Sequence, residues 1–340
     1  MTGDVGLAES DPTGWQEQPI DPALPIIDPH HHLGFKAGRP SYLLPELLAD
    51  ITRGHDIRAT VIVESTVMYR RDGPEELRCV GETEFANGIA AMSASGLYGP
   101  IRICEGIVGC VNFRLGARVE KVLEAHVAAG NGRFRGVRSV ATWDEYAPMT
   151  DYRQPPSGLL RDATFQQGFA KLAPLGLTFE TWIYSTQLTD VIELARAFPL
   201  TTIIVDHMGG PPGVGPYAGR RDEVLLQWKA RLRDLSRLPN VFLKVGGLGM
   251  PVIGLGFEQW TRRPGSADLA PAWKPYIETC VDIFGPERCM LESNFPPDKK
   301  SCDYGVLWNT FKIVTASYSD AEKEALFRGT AASVYRLRPD

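Results

Sequence analysis

Ile27-Asp28-Pro29-His30-His31-His32 closes an apolar segment that begins at Pro25. Read as a strand, the run sends successive side chains to opposite faces, so His30 and His32 share one face and His31 takes the other. Two imidazoles side by side at the end of a buried strand suit either one metal ion or the two flanks of a substrate carbonyl. A histidine-rich turn would carry the same letters, but this run is internal and terminates an apolar strand.

Past His32 the chain alternates short β-branched runs with longer amphipathic ones, the alternation that a parallel sheet wrapped in helices requires. With the first run, strands are expected at 26–32, 59–65, 102–112, 134–141, 177–184, 201–207, 241–246 and 288–294, eight in all. Several are apolar on both faces, as in Thr202-Ile-Ile-Val205, which fits strands covered inside and out. Among the helices, 188–198 sets Leu188, Val191, Ile192, Ala195 and Phe198 on one face. A last helix opens with the capping box Ser319-Asp-Ala-Glu322 and runs toward Phe327. Repeated right-handed crossovers of this kind predict an α/β fold closed into a (β/α)8 TIM barrel. An open doubly wound sheet is the competing architecture, but no G-x-G-x-x-G follows the first strand.

The 340 residues suffice for one such barrel with insertions, so residues 25–340 are read as a single catalytic domain and 1–24, without periodicity, as an N-terminal arm. The longest loops, 66–82, 142–164, 208–223 and 248–272, all follow strands, on the side where barrels place substrates. A net charge of -5 with no basic patch interleaved with aromatics argues against a nucleic-acid partner. The six cysteines form no C-x-x-C pair and sit mostly in apolar runs, as reduced core residues of a cytoplasmic protein would. No apolar run approaches bilayer length and the first residues lack a basic leader, so membrane insertion and secretion are both disfavoured.

Two further motifs fall at predicted strand ends. Asp206-His207-Met-Gly-Gly closes the sixth strand, delivering one histidine to the mouth, with glycines that let backbone approach a ligand. Met290-Leu-Glu-Ser-Asn294-Phe-Pro-Pro-Asp298 covers the eighth, where Glu292 and Asn294 share a face and Pro296-Pro297 stops the strand. Asn294 either acts in the site or caps the loop.

On these motifs the chain resembles the lactonase-like branch of the amidohydrolase superfamily, which includes pyrone-dicarboxylate and sugar-lactone hydrolases. The resemblance runs from Pro25 to Leu337 and takes in Val63-Glu64, Gly136-Val-Arg138, Trp182-Ile-Tyr184, Lys244-Val-Gly-Gly247 and Gly329-Thr-Ala-Ala332. It implies that His30, His32 and His207 are catalytic and, where a metal is bound, its ligands. Asn294 stands where many relatives carry an aspartate, and an amide cannot take a proton from water. Asp298 and Glu64 are therefore the alternative general bases. Relatives also carry histidines near the ends of the fourth and fifth strands, where this chain has Arg138-Ser139 and Tyr184-Ser185. With three histidines and no eighth-strand carboxylate, the cofactor expectation is one divalent ion, zinc, or none.

If the register holds, Arg138 and Lys244 both reach the mouth, either to bind an anionic substrate or to pair with barrel carboxylates. Trp182 and Tyr184 face the same way, to stack on a flat ring or to pack the core. The expected activity is hydrolysis of a lactone or related small carboxylated substrate. Metal-dependent decarboxylation, or another C–C lyase reaction, and a repurposed barrel that only binds a metabolite are the alternatives. A small anionic molecule is the expected partner, with self-association into a homo-oligomer left open.

Overall fold

The computed structural model describes residues 17–35, 40–146 and 155–338. Eight strands appear where the sequence places them: β1 (Pro25–His31), β2 (Asp56–Val63), β3 (Arg102–Gly109), β4 (Phe134–Val140), β5 (Thr178–Trp182), β6 (Ile203–Val205), β7 (Val241–Val245) and β8 (Cys289–Leu291). They pair in parallel in chain order, β1 to β8. Helices α1 (Leu44–Ile51), α2 (Val80–Ala94), α3 (Val119–Ala129), α4 (Ala163–Phe169), α5 (Leu188–Ala197), α6 (Arg221–Ser236), α7 (Ser266–Phe284), α8 (Tyr304–Val314), α9 (Asp320–Glu324) and α10 (Thr330–Val334) follow. The expected open-sheet alternative is set aside by the seam between β8 and β1, where Asn294 N–H donates to His30 O at 2.9 Å and His32 N–H to Phe295 O at 2.8 Å.

Asp28 holds that seam. Its buried carboxylate accepts from the Ser293 hydroxyl (2.6 Å), the Tyr304 hydroxyl (3.0 Å) and the Ser293 amide (3.1 Å), so the first strand is pinned to the end of the last. The barrel interior is filled from below by the chain's final turns. Ala331, Val334, Tyr335 and Leu337 pack against Ile27, Val61, Val63, Val108, Ile204 and Met290. This is the packed interior expected of a barrel of this size.

The observed strands differ from the expected ones mainly at their ends. Several stop short at the mouth: β6 ends at Val205 and β8 at Leu291, because His207, Met208 and Asn294 adopt left-handed backbone (φ 53°, 58° and 51°) and leave the ladder. Strand β2 starts three residues earlier than expected, at Asp56. The long loops are slightly shorter than predicted, since α2, α6 and α7 begin at Val80, Arg221 and Ser266. The Ser319 cap is present, with its hydroxyl accepting from Glu322 N–H at 3.3 Å.

Of the expected arm, residues 1–16 lie outside the described part, as do 147–154 of the loop at 142–164. The remainder of the arm is tied down: the Glu17 carboxylate accepts from Ser266 N–H (2.7 Å) and the Asn309 side chain (3.0 Å). No helix among the described residues is long and apolar enough to cross a membrane.

Candidate active site

His30 stands at the centre. Its Nε2 is 3.3 Å from His32 Nε2, and its ring lies 4.8 Å from that of His207. The alternation along β1 thus works as the sequence implies: His30 and His32 meet, while His31 turns into the barrel wall against the Thr60 hydroxyl at 2.9 Å. His32 is oriented by its Nδ1, 2.8 Å from Val63 O. His207 reaches the cluster from left-handed backbone, a conformation costing about 1 to 3 kcal/mol in a non-glycine residue and often found where function demands it. Gly247 makes the seat, since a Cβ there would meet the His207 ring at 2.7 Å; Gly246 does the same for the Glu292 side chain at 2.4 Å.

Glu292 is the residue that the sequence reading left out of the site. One carboxylate oxygen lies 2.6 Å from His207 Nδ1, the other 2.7 Å from His30 Nδ1, so it bridges the two imidazoles from opposite ends of the chain. The absent eighth-strand carboxylate is therefore supplied two positions before Asn294. Asp206 and Glu180 were also missed. Both are fully buried beside His30, and the three form a group whose donor atoms lie within 4.8 Å of one another. A signal existed for all three: an acidic residue inside an otherwise apolar strand has to find a partner in the interior.

The two cations follow the ion-pair alternative. Arg138 Nε donates to Glu64 at 2.9 Å, and Lys244 Nζ donates to Glu180 at 2.6 Å. Both still touch His30, with Arg138 Nη1 3.4 Å from Nε2 and Lys244 Nζ 3.4 Å from Nδ1. Only one ring nitrogen of a neutral imidazole can accept, and the carboxylate at Nδ1 is the nearer neighbour, so the proton belongs on Nδ1 and the lone pair on Nε2. Tyr335 closes the layer from below by donating its hydroxyl to Glu180.

The other expected residues divide. Glu64 belongs to the cluster through Arg138. Asp298 does not: its oxygens accept from the Asn294 side chain (2.8 Å) and Gly249 N–H (2.9 Å), which makes both Asp298 and Asn294 braces of the loop after β8. Trp182 meets the His207 ring edge-on at 4.8 Å and Tyr184 packs on Trp182. With Val140, Val214, Tyr217, Met250 and Val252 they form an apolar patch separate from the main core, so packing and site lining coincide. Gln187 staples β4 to β5, accepting from Trp143 N–H (3.0 Å) and Tyr184 N–H (3.2 Å) and donating to Ala141 O (2.8 Å).

Burial sets the electrostatics. It holds the His207 imidazole down at about 3 and, aided by Lys244 and Arg138 respectively, His30 and His32 well below the usual range, so all three are neutral. It lifts the Asp206 carboxyl to about 7 and that of Glu292 to about 8, against the opposing pull of Lys244. The Arg138–Glu64 and Lys244–Glu180 pairs balance in charge, and burial brings these two acids toward the neutral range. Neither Asp206 oxygen, nor the Glu292 oxygen facing His30, has a hydrogen-bond donor in line with it.

Those orphaned oxygens allow a test of metal binding. His30, His207 and Glu292 form a buried group with donor atoms within 4.8 Å, a set of two imidazoles and one carboxylate that zinc accepts. The 3.3 Å between His30 and His32 also matches, roughly, the span of two nitrogen ligands on one tetrahedral zinc. The residues fit such an ion, with Glu292 added to the three histidines expected to hold it.

Comparison with known proteins shows the family and the fold. The family model described as amidohydrolase matches residues 27–337. An uncharacterized protein of Sinorhizobium fredii, y4mH, is 30% identical over 336 residues, covering 92% of this chain and 99% of its own length. An L-fucono-1,5-lactonase of Burkholderia multivorans is 31% identical over 181 residues, 52% of this chain and 57% of the relative. Among solved structures, an amidohydrolase from Burkholderia multivorans with bound zinc superposes with a TM-score of 0.70 at 24% identity, covering 92% of this chain and 99% of the other.

Proposed function

Because this chain belongs to the amidohydrolase family, we propose that it adds water to a small cyclic ester, opening a lactone at the cluster around His30. The observation that carries this reading is the Glu292 carboxyl bridging His207 and His30 at 2.6 and 2.7 Å. A carboxyl poised near 8 beside neutral imidazoles can take and return a proton at ordinary pH, as general acid–base catalysis needs. The lactonase relative supports the substrate class.

In this mechanism Glu292 and His207 work as a pair. The imidazole accepts the proton of the attacking water at Nε2, while the carboxylate at Nδ1 fixes the tautomer and balances the charge that develops. His30 and His32, with Nε2 lone pairs turned to the mouth, flank the substrate without donating to it. Arg138, 3.4 Å from His30 Nε2 and 5% exposed, faces the oxyanion; Lys244, fully buried against Glu180, sets the field from beneath. Trp182 and its apolar neighbours exclude bulk water, which strengthens each of these interactions. The same proton then passes from the pair to the leaving alcohol. A zinc ion held by His30, His207 and Glu292 would add Lewis acidity at the carbonyl.

The test is a panel of five- and six-membered lactones, with and without a carboxylate, assayed beside elemental analysis of the protein and a Glu292→Gln variant. Hydrolysis should fall about 10²- to 10⁴-fold in the variant, the usual worth of a positioned acid–base group. Undiminished turnover by Glu292→Gln would remove the proposed Glu292–His207 pair, and a panel with no substrate opened would remove the lactonase reading.

A further inference from the structure

Two of the six cysteines depart from the inert core pattern. Cys104, Cys280, Cys289 and Cys302 are fully buried, and burial pushes each thiol up. Cys79 and Cys110, thirty-one positions apart in sequence, pack in one apolar cluster on the outer wall of the barrel beside β3. They line a surface cleft of about 450 Å3 together with Tyr69, Glu75, Glu76 and Asn112, so a small solute can reach them. Cys110 is half-buried, its sulfur 2.8 Å from the Tyr69 hydroxyl.

The surroundings of Cys79 favour its thiolate. It immediately precedes the fifteen-residue helix α2, where the helix dipole stabilises negative charge. His126 on α3 reaches it: Nε2 lies 3.5 Å from Cys79 Sγ and 3.0 Å from Cys110 O, while Nδ1 lies 2.8 Å from the Thr83 hydroxyl. The carbonyl can only accept, so Nε2 carries the hydrogen and presents it to the sulfur as well. The neighbouring Cys110 thiol, followed by His126, lowers the Cys79 thiol against the opposing effect of burial, whereas Cys110 is held high. A thiol of lowered pKa at the wall of a cleft, beside a second thiol, is the arrangement of oxidisable cysteine pairs.

We propose that Cys79 is a peroxide-reactive nucleophile and Cys110 its resolving partner, making this wall of the barrel a site of reversible disulfide formation. The Cys79 thiolate attacks one oxygen of hydrogen peroxide; the O–O bond breaks, hydroxide leaves and takes up a proton as water, and Cys79 becomes a sulfenic acid. The Cys110 sulfur then attacks the Cys79 sulfur. The S–O bond breaks, the S–S bond forms, and the departing hydroxyl leaves as water with the Cys110 proton. Two thiols and one peroxide thus give one disulfide and two waters, two electrons passing from sulfur to peroxide oxygen. Reduction by a small dithiol restores the pair.

The experiment uses the full-length reduced chain. After brief treatment with hydrogen peroxide, the remaining thiols are alkylated under denaturing conditions and peptides are mapped by mass spectrometry. One cross-linked peptide joining Cys79 to Cys110, about two mass units lighter than its reduced parts, should appear and vanish with dithiothreitol, while the four buried cysteines stay fully alkylated. In Cys110→Ser, dimedone should label Cys79. The proposal is overturned if Cys79 and Cys110 are alkylated as completely as the buried four after peroxide, or if dimedone labels another cysteine instead. Should Cys110→Ser not fold, the wild-type map decides alone.

Discussion

Replacing Gly247 by alanine tests the site without touching a reacting group. Gly247 has φ 67°, and a Cβ there would lie 2.7 Å from Cγ and Nδ1 of His207. Carbon contacts settle near 3.5 Å, so the imidazole must retreat by about 0.8 Å. Directed away from Glu292, that movement would stretch the 2.6 Å contact to roughly 3.4 Å, beyond a useful hydrogen bond. The left-handed alanine costs about 1 to 2 kcal/mol and the overpacking about 1 to 3 kcal/mol more. For 340 residues, about 0.7 kcal/mol corresponds to 1 °C, so Tm should fall by about 3 to 7 °C. Turnover should fall about a hundredfold, as expected for an ångström-scale displacement of a catalytic group. Gly176→Ala is the control: φ is 63° there and no atom lies within 4 Å of the added carbon, so only the backbone cost of about 1 to 2 kcal/mol applies and activity stays intact. Differential scanning calorimetry and the lactone assay read both variants. If Gly247→Ala matches Gly176→Ala in both, His207 is not seated as described and the argument for the site fails.

Two more predictions concern the buried charges. Lys244→Met strands Glu180 in the interior and should cost about 3 to 5 kcal/mol in urea titration, most of it recovered by adding Glu180→Gln; a loss below about 1 kcal/mol would mean that the pair is not the buried bridge seen here. Glu82→Gln probes pH. The Glu82 carboxyl accepts from Ser65 N–H at 2.7 Å through one oxygen while the other is buried without a donor, and burial with Glu64 nearby raises it to about 8. A carboxyl raised on folding stabilises most below its unfolded value of about 4.5, and that contribution drains away as pH climbs to about 8, by up to about 1.4 kcal/mol per pH unit. The glutamine, an isostere of the protonated acid, should flatten the decline of stability between pH 6.5 and 8, and an unchanged slope would place the titrating group elsewhere.

The sequence announced the barrel clearly, because eight apolar runs separated by amphipathic ones leave few other ways to bury both faces of each strand. It also located His30, His32 and His207, through the alternation of β1 and the histidine that ends an apolar strand. Glu292, Glu180 and Asp206 were harder to see. Their role depends on which residues face one another across the barrel, and that register follows from strand stagger and from the left-handed turns at His207 and Asn294, which no periodicity reveals. Asp298 misled for the same reason: adjacency in sequence to Asn294 suggested the mouth, while the turn after β8 directs it to Gly249. The proximity of Cys79, just before α2, to Cys110, just after β3, leaves no trace in spacing.

The hydroxyl of Tyr335, donated to Glu180 beneath the imidazoles, ties the floor of the barrel to its mouth. Strand β1 supplies the histidines and the turn after α10 the tyrosine that supports their ion layer, so the two layers of the interior are stacked on one another. Without that turn one Glu180 oxygen would lose its donor while Lys244 kept the other, and the apolar interior between Ile27 and Met290 would be left unfilled. A change at Tyr335 would therefore reach the imidazoles from beneath, through Glu180 and the Lys244 that touches His30, without altering any of them.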